Sequence, residues 1–116
     1  MNTDLDNNPY LVSFIGGVNK MLQNYWANHK FTHNDPPTAM ISNVGRRYAK
    51  IAVYAKRPAH TGPYVPERVY CFYDKTNGDL LKGTWKAPVA NGVRGNVSES
   101  NVLDKFNWHG PKGLRG

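Results

Sequence analysis

The chain has 116 residues and one cysteine, which excludes a two-domain enzyme, an internal disulfide and a multi-cysteine zinc site. It has no run of 18 apolar residues and opens with acidic residues, so neither a membrane-spanning helix nor a secretory signal peptide is expected. The net charge of +7 is concentrated in residues 46–116, with thirteen basic and five acidic side chains, which favours nucleic acid as partner, although a solvated basic surface has the same signature.

The first predicted element is an amphipathic helix over residues 9–28. Asn8 is a preferred N-cap residue, and Pro9 suits the first helical position. Apolar residues then recur at helical spacing and predict the face that packs on the core: Leu11, Phe14, Ile15, Val18, Leu22 and Tyr25. Gly16 and Gly17 are either tolerated helical glycines or a place where another segment approaches closely.

A loop is predicted over residues 30–45, and strict alternation then predicts a half-buried strand from Arg46 to Arg57. The side chains predicted to point inward are Ala49, Ile51, Val53 and Ala55. Those predicted to point outward are Tyr48, Lys50, Ala52, Tyr54 and Lys56. The following stretch is predicted to be a second loop because it contains residues that a sheet interior excludes: Pro58, Pro63 and Pro66.

Asn77-Gly78 predicts the turn of a β-hairpin with strands Arg68 to Asp74 and Asp79 to Lys86. A two-residue turn would pair Tyr73 with Lys82. One side of the hairpin would then face the core: Tyr70, Phe72, Leu81, Gly83 and Trp85. The solvent-facing side would hold Tyr73, Lys75, Lys82 and Lys86. A three-residue turn with a bulge at Gly78 is the alternative, and it would change this pairing.

Residues 91–96 are predicted to form a loop, followed by a short helix that Ser98 caps and that ends near Phe106. Its inward side chains would be Val102, Leu103 and Phe106. We expect one domain over residues 1–116, with residues 1–8 as an N-terminal arm and residues 107–116 as a basic tail. The order of elements predicts an α+β fold, with the N-terminal helix packed on a three-stranded antiparallel sheet.

The predicted strands bring basic and aromatic side chains to one sheet face. Aromatic rings stack on bases and lysines contact phosphates, so this face is the candidate nucleic-acid-binding site. With Arg94 from the following loop, its residues are Tyr48, Lys50, Tyr54, Lys56, Tyr73, Lys75, Lys82, Lys86 and Arg94. A solvated strand face that carries tyrosine for β-propensity and lysine for solubility is the alternative interpretation.

No catalytic, metal or cofactor site is predicted. His29, His33 and Asp35 have part of a metal-ligand spacing, but the Asp-Pro-Pro sequence at 35–37 ends any helix there, so a surface loop is the favoured interpretation. Cys71 has no identifiable base nearby, and neither paired carboxylates nor a phosphate-binding glycine loop is present. We therefore expect a protein that is not an enzyme.

The segment from Arg68 to Asn96 resembles small tailed-bacteriophage proteins of no settled activity. The resemblance rests on the Asn-Gly hairpin, the Trp-Lys-Ala-Pro segment at 85–88 and the Arg-Gly-Asn loop at 94–96. It implies a viral origin, with the host cytoplasm or the virion as location. The leading hypothesis is therefore a non-catalytic accessory protein that binds DNA or RNA. The alternatives are a virion structural or assembly protein, which would contact copies of itself or other virion proteins, and an inhibitor of a host nucleic-acid enzyme.

Overall fold

The computed structural model describes residues 8–28, 36–56, 61–107 and 110–111. Helix α1 (Pro9–Asn28) is followed by strands β1 (Thr38–Val44), β2 (Tyr48–Lys56), β3 (Tyr64–Asp74), β4 (Asp79–Gly83) and β5 (Pro88–Asn96). A 3₁₀ helix (Val102–Lys105) and the paired short strands β6 (Phe106–Asn107) and β7 (Gly110–Pro111) come last. The predicted arm up to residue 7, the histidines at 29 and 33, Asp35 and the tail beyond residue 111 lie outside the described residues.

The α+β class is confirmed, but the antiparallel sheet has five strands, in the order β1-β2-β3-β4-β5, and not three. Strands β1 and β5 occupy segments that were predicted to be loops. Each has irregular pairing: β1 shifts register between Ile41 and Asn43, and the β4–β5 pair shifts on both sides of Leu81. Such bulges break the period-two pattern by which a strand is identified in a sequence.

Strand β3 begins at Tyr64, so Pro66 lies in a strand where a loop was predicted. Of the residues of β3, only Phe72 and Tyr73 pair with β4. At Pro66, β3 therefore has a paired strand on one side only, where Tyr54 of β2 is the partner. This is an edge position, and an edge tolerates proline.

Helix α1 begins and ends as predicted. Asn8 Oδ1 accepts hydrogen bonds from the backbone N–H groups of Tyr10 (3.0 Å) and Leu11 (3.1 Å) and so caps the helix. Asn19 ties the helix to edge strand β1, because its Oδ1 accepts from Ala39 N (2.6 Å) and its Nδ2 donates to Ala39 O (3.1 Å). The helical side chains buried against the sheet are Leu11, Phe14, Val18 and Leu22.

We call the sheet face under α1 the inner face and the opposite one the outer face. Strand β2 follows its predicted alternation, with Ala49, Ile51 and Val53 in the core on the inner face. Ala52, predicted to point outward, is buried as well.

Strand β3 does not follow its predicted alternation, because of a bulge. Cys71 pairs with Ile51, but Ala52 pairs with Val69, so Tyr70 is an extra residue in β3. Tyr70 and Cys71 are neighbours in sequence, and both belong to the core under the helix. The bulge moves the inward positions that follow by one residue.

The aromatic core forms around Tyr70. Its ring stacks on Phe106, with centroids 5.9 Å apart, and Phe106 meets Phe14 edge-on at 5.0 Å. The Tyr70 hydroxyl donates to Asn107 O (2.6 Å). Strand β6 is thereby fixed beneath helix α1.

The β3–β4 turn has four residues, 75–78, where two were predicted. Asp74 stabilises it, since its Oδ1 accepts from Thr76 N (2.9 Å) and Thr76 Oγ1 (2.6 Å), and its carbonyl accepts from Gly78 N (2.8 Å). Gly78 has φ +84°, a conformation that favours glycine. The local bonding of Asp74 therefore selects the longer turn.

The longer turn and the bulge together invert the predicted faces of the hairpin. Tyr73 pairs with Leu80 and not with Lys82, and Phe72 pairs with Leu81. The inner face holds Cys71, Tyr73 and Leu80. Phe72 pairs across the sheet with Lys50, which places it on the outer face with its partner Leu81. Both side chains are nevertheless buried, as predicted.

In place of the short helix predicted from Ser98 to Phe106, the structure has a 3₁₀ helix of four residues, Val102–Lys105. Ser98 does not cap it, because the Ser98 N–H and hydroxyl both donate to Asn96 Oδ1. The inward positions are as predicted, with Val102 and Phe106 buried and Leu103 packed at the edge of the core.

Candidate nucleic-acid interface

Basic and aromatic side chains alternate along β2 on the outer face. They are Tyr48, Lys50, Tyr54 and Lys56, and all four are half-buried. They point outward because the intervening residues point into the core. Among the described residues, α1 and the 3₁₀ helix pack on the inner side, so these side chains lie on a face that neither helix covers.

Two lysines of the outer face lie over aromatic rings. Lys50 Nζ is 4.0 Å from the centroid of the Trp85 ring, and Lys56 Nζ is 5.6 Å from that of Tyr64. Trp85 is 48% exposed and Tyr64 is 39% exposed. At such exposed sites a cation–π contact contributes about 0.5–1 kcal/mol. The outer face therefore presents positive charge and ring surface side by side.

Arg47 lies at one end of the outer face, where Asp74 anchors it. Its Nε and Nη2 are 3.1 Å and 3.0 Å from Asp74 Oδ2, and its Cζ is 5.2 Å from the Tyr48 ring centroid. Burial of the Asp74 carboxyl raises its pKa, but hydrogen bonds from Arg47 and Thr76 outweigh burial and hold the pKa below its usual range. Ionised Asp74 offsets the charge of Arg47, so the positive charge of this face comes mainly from Lys50 and Lys56.

Trp85, predicted to lie in the core, stands in a closed turn after β4. Thr84 N donates to Ala87 O (2.9 Å), and Thr84 Oγ1 accepts from the N–H groups of Lys86 (3.3 Å) and Ala87 (3.4 Å). Strand β4 ends at Gly83, so Trp85 lies in the turn and not in the strand. The sequence signal for it is a threonine shortly before Pro88, typical of a side-chain-stabilised turn.

The prediction that Tyr73 faces solvent is wrong. Tyr73 is 4% exposed on the inner face, and its hydroxyl accepts a hydrogen bond from Asn8 Nδ2 (2.9 Å). Burial raises the pKa of this hydroxyl. The bulge at Tyr70 is the physical reason, since it exchanges the inward and outward positions of the residues that follow.

The four remaining predicted binding residues are spread over the molecule. Lys75 is exposed in the β3–β4 turn, and with Asn8 and Tyr10 it lines a shallow depression beside the start of α1. Lys82 is exposed on β4, and Arg94 is half-buried on β5. Lys86 is exposed in the turn that holds Trp85. The expectation of one shared surface therefore holds for the β2 residues and fails for most of the others.

Three outer-face residues were missed: Arg47, Tyr64 and Trp85. Tyr64 was not predicted because Pro63 and Pro66 on either side of it indicated a loop. Arg47 was not predicted because it lies just before β2 begins and because its position depends on Asp74, 27 residues later.

The described residues offer little sign of other chemistry. They hold no cluster of three or more histidines, cysteines or carboxylates able to bind a metal ion. None of their helices combines the length and apolar character needed to cross a bilayer. Cys71 is a buried thiol whose pKa is raised by burial. Comparison with family models, curated proteins and solved structures finds no match to this chain.

Proposed function

We propose that this chain is a non-catalytic nucleic-acid-binding protein whose outer face contacts phosphates and stacks on bases. The observation that carries the proposal is the interleaving of lysines with half-exposed rings on a sheet face that the described helices leave uncovered. Lysine contacts release counterions from the phosphate backbone, and an exposed ring can stack on any base. The net charge of +7 adds a long-range attraction.

The proposed setting is a tailed bacteriophage, in which the protein acts as an accessory factor in the host cytoplasm or in the virion. The support is the resemblance carried by residues 68–96, a segment that runs from β3 to the end of β5. This segment contributes Trp85 and Lys86, so the shared residues include part of the proposed interface.

A role in virion assembly is the second candidate, and helix α1 favours it. The exposed side of the helix carries Tyr10 (57% exposed) and Val12 (52% exposed), and Lys20 is its one charged residue. A surface with a single charge and large apolar groups is typical of a protein contact. Light scattering after size-exclusion chromatography tests it: a stable oligomer supports assembly, and a strict monomer at high concentration argues against self-association.

Fluorescence anisotropy with labelled DNA and RNA oligonucleotides, titrated between about 50 and 300 mM salt, tests nucleic-acid binding. Contacts from Lys50, Lys56 and Lys86 to three phosphates predict a slope of log affinity against log salt of about −2 to −3. Lys50→Gln should reduce the slope by about 0.7–0.9.

Lys20→Gln is the matched control, because it removes the same charge from the exposed side of α1. It should leave the slope unchanged. Undetectable binding at the lowest salt, or an equal loss in both variants, would contradict the proposal.

A further inference from the structure

Trp85 is held in place with one ring face against a cation. The turn of Thr84 fixes the backbone on both sides of it, and Lys50 Nζ lies 4.0 Å from the ring centroid. An exposed fraction of 48% is consistent with one covered and one open ring face. A large aromatic side chain so positioned is available for stacking without rearrangement of the backbone.

The shape of the outer face decides which nucleic acid can use that ring. Beside Lys50 all five strands lie abreast, and four gaps of about 4.8 Å make the sheet about 19 Å across there, whereas the major groove of B-DNA is about 12 Å wide. This part of the face is too wide for the groove, so a duplex would present phosphates and not base faces to Trp85. In a single strand, the bases can turn toward the protein and expose their faces.

The two lysine–aromatic pairs are separated along β2. Lys50 and Lys56 are six residues apart, roughly 20 Å along a strand. Positive charge at both points can follow a backbone, while Trp85 and Tyr64 offer rings beside it. This spacing suits an extended strand of several nucleotides.

We infer that the outer face selects single-stranded over double-stranded nucleic acid, with Trp85 as the principal stacking platform. The inference rests on the proposed function and specifies its ligand. Stacking of one base raises affinity about fivefold to 150-fold, and only unpaired bases supply it. Electrostatics alone would favour the duplex, since its charge density is higher, so a single-strand preference reports stacking.

The test measures fluorescence anisotropy with three labelled probes. They are a single-stranded DNA of about 12 nucleotides, the same strand with abasic sites throughout, and a duplex of about 12 base pairs. The abasic strand keeps the phosphates and removes the bases. The native protein should bind the complete strand at least about tenfold more tightly than either other probe. Trp85→Ala should lower this preference to about twofold or less, and Trp85→Phe should retain part of it.

Tyr10→Ala is the matched control, because Tyr10 is an exposed aromatic residue on α1, away from the outer face. It should keep the full preference. Circular dichroism and urea unfolding check that each variant folds, and Trp85→Phe carries the test if Trp85→Ala does not fold.

The outcomes separate this inference from the proposed function. Equal affinity for all three probes would overturn single-strand selectivity and leave nucleic-acid binding intact. A preference that survives in Trp85→Ala would overturn the assignment to Trp85. Failure of every probe to bind would refute the proposed function and the inference with it.

Discussion

Gly16 and Gly17 are neighbours in helix α1, yet the structure predicts different results when each is replaced by alanine. In the described part of the chain, no atom outside the adjoining helix backbone lies within 4 Å of the position that a Cβ on Gly16 would occupy. A Cβ on Gly17 would overlap Leu103 Cδ1 and lie 3.1 Å from Cδ2. Of the two interpretations of the pair, a tolerated helical glycine therefore fits Gly16, and a close approach by another segment fits Gly17.

The expected free energies follow from two opposing effects. Alanine is more favourable than glycine in a helix by about 1 kcal/mol, and both variants gain this amount. Gly16→Ala should therefore raise the free energy of unfolding by about 1 kcal/mol. Gly17→Ala must also displace Leu103, and overpacking of this kind costs about 1–3 kcal/mol. Its net effect should lie between zero and a loss of about 2 kcal/mol.

Urea unfolding of the two variants, followed by circular dichroism, measures the difference directly. The same substitutions in a Leu103→Ala background are the control. With the leucine side chain removed, Gly17→Ala should become stabilising by about 1 kcal/mol, like Gly16→Ala. If Gly17→Ala stabilises the native protein as much as Gly16→Ala does, the packing of the 3₁₀ helix against α1 is not as described.

Three further substitutions or treatments test other contacts. Gly83→Ala should lower the free energy of unfolding by about 1–3 kcal/mol in urea, because its Cβ would overlap the Phe72 ring and lie 2.9 Å from Ala87 O. Asp74→Asn should destabilise the protein at pH 7. Since the folded pKa of Asp74 is lowered, this stabilisation is complete above its ordinary value of 3.8 and is lost as pH falls through the folded pKa, so thermal melts of variant and native protein should converge in acid. The buried Cys71 thiol, whose pKa burial raises, should react with a disulfide reagent only as urea opens the core, and rapid labelling of the native protein would contradict its burial.

Helix α1 and strand β2 could be predicted because their signals are local. The Asn8 cap, Pro9 and the 3.6-residue period lie within the helix itself, and the alternation of β2 is unbroken from Tyr48 to Ala55. The outward direction of Lys50 and Lys56 followed from the same alternation. That part of the candidate site was therefore accessible from the sequence.

The rest of the site depends on contacts between distant residues. The inward position of Tyr70 is fixed by Phe106 and Asn107, which follow it by more than thirty residues. The bulge that results exchanged the predicted faces of the hairpin and removed Tyr73 from the outer face. Strand β1 likewise depends on Asn19 of the helix, which bonds to Ala39. The hydrophobic pattern of a single strand carries no information about contacts with residues that are distant in the sequence.

The way in which the outer face is covered bears on its proposed use. The inner face is closed by interlocking apolar side chains, whereas Trp85 on the outer face is covered in part by the ammonium group of Lys50. Moving that lysine from the ring to a phosphate costs about 0.5–1 kcal/mol, while a base stacked on the ring contributes about 1–3 kcal/mol. Stacking on the ring face opposite Lys50 does not require the lysine to move, so the two contacts do not compete. A leucine at position 50 could cover the ring but could not contact a phosphate, so the pairing of lysine with tryptophan fits the proposed use of this face.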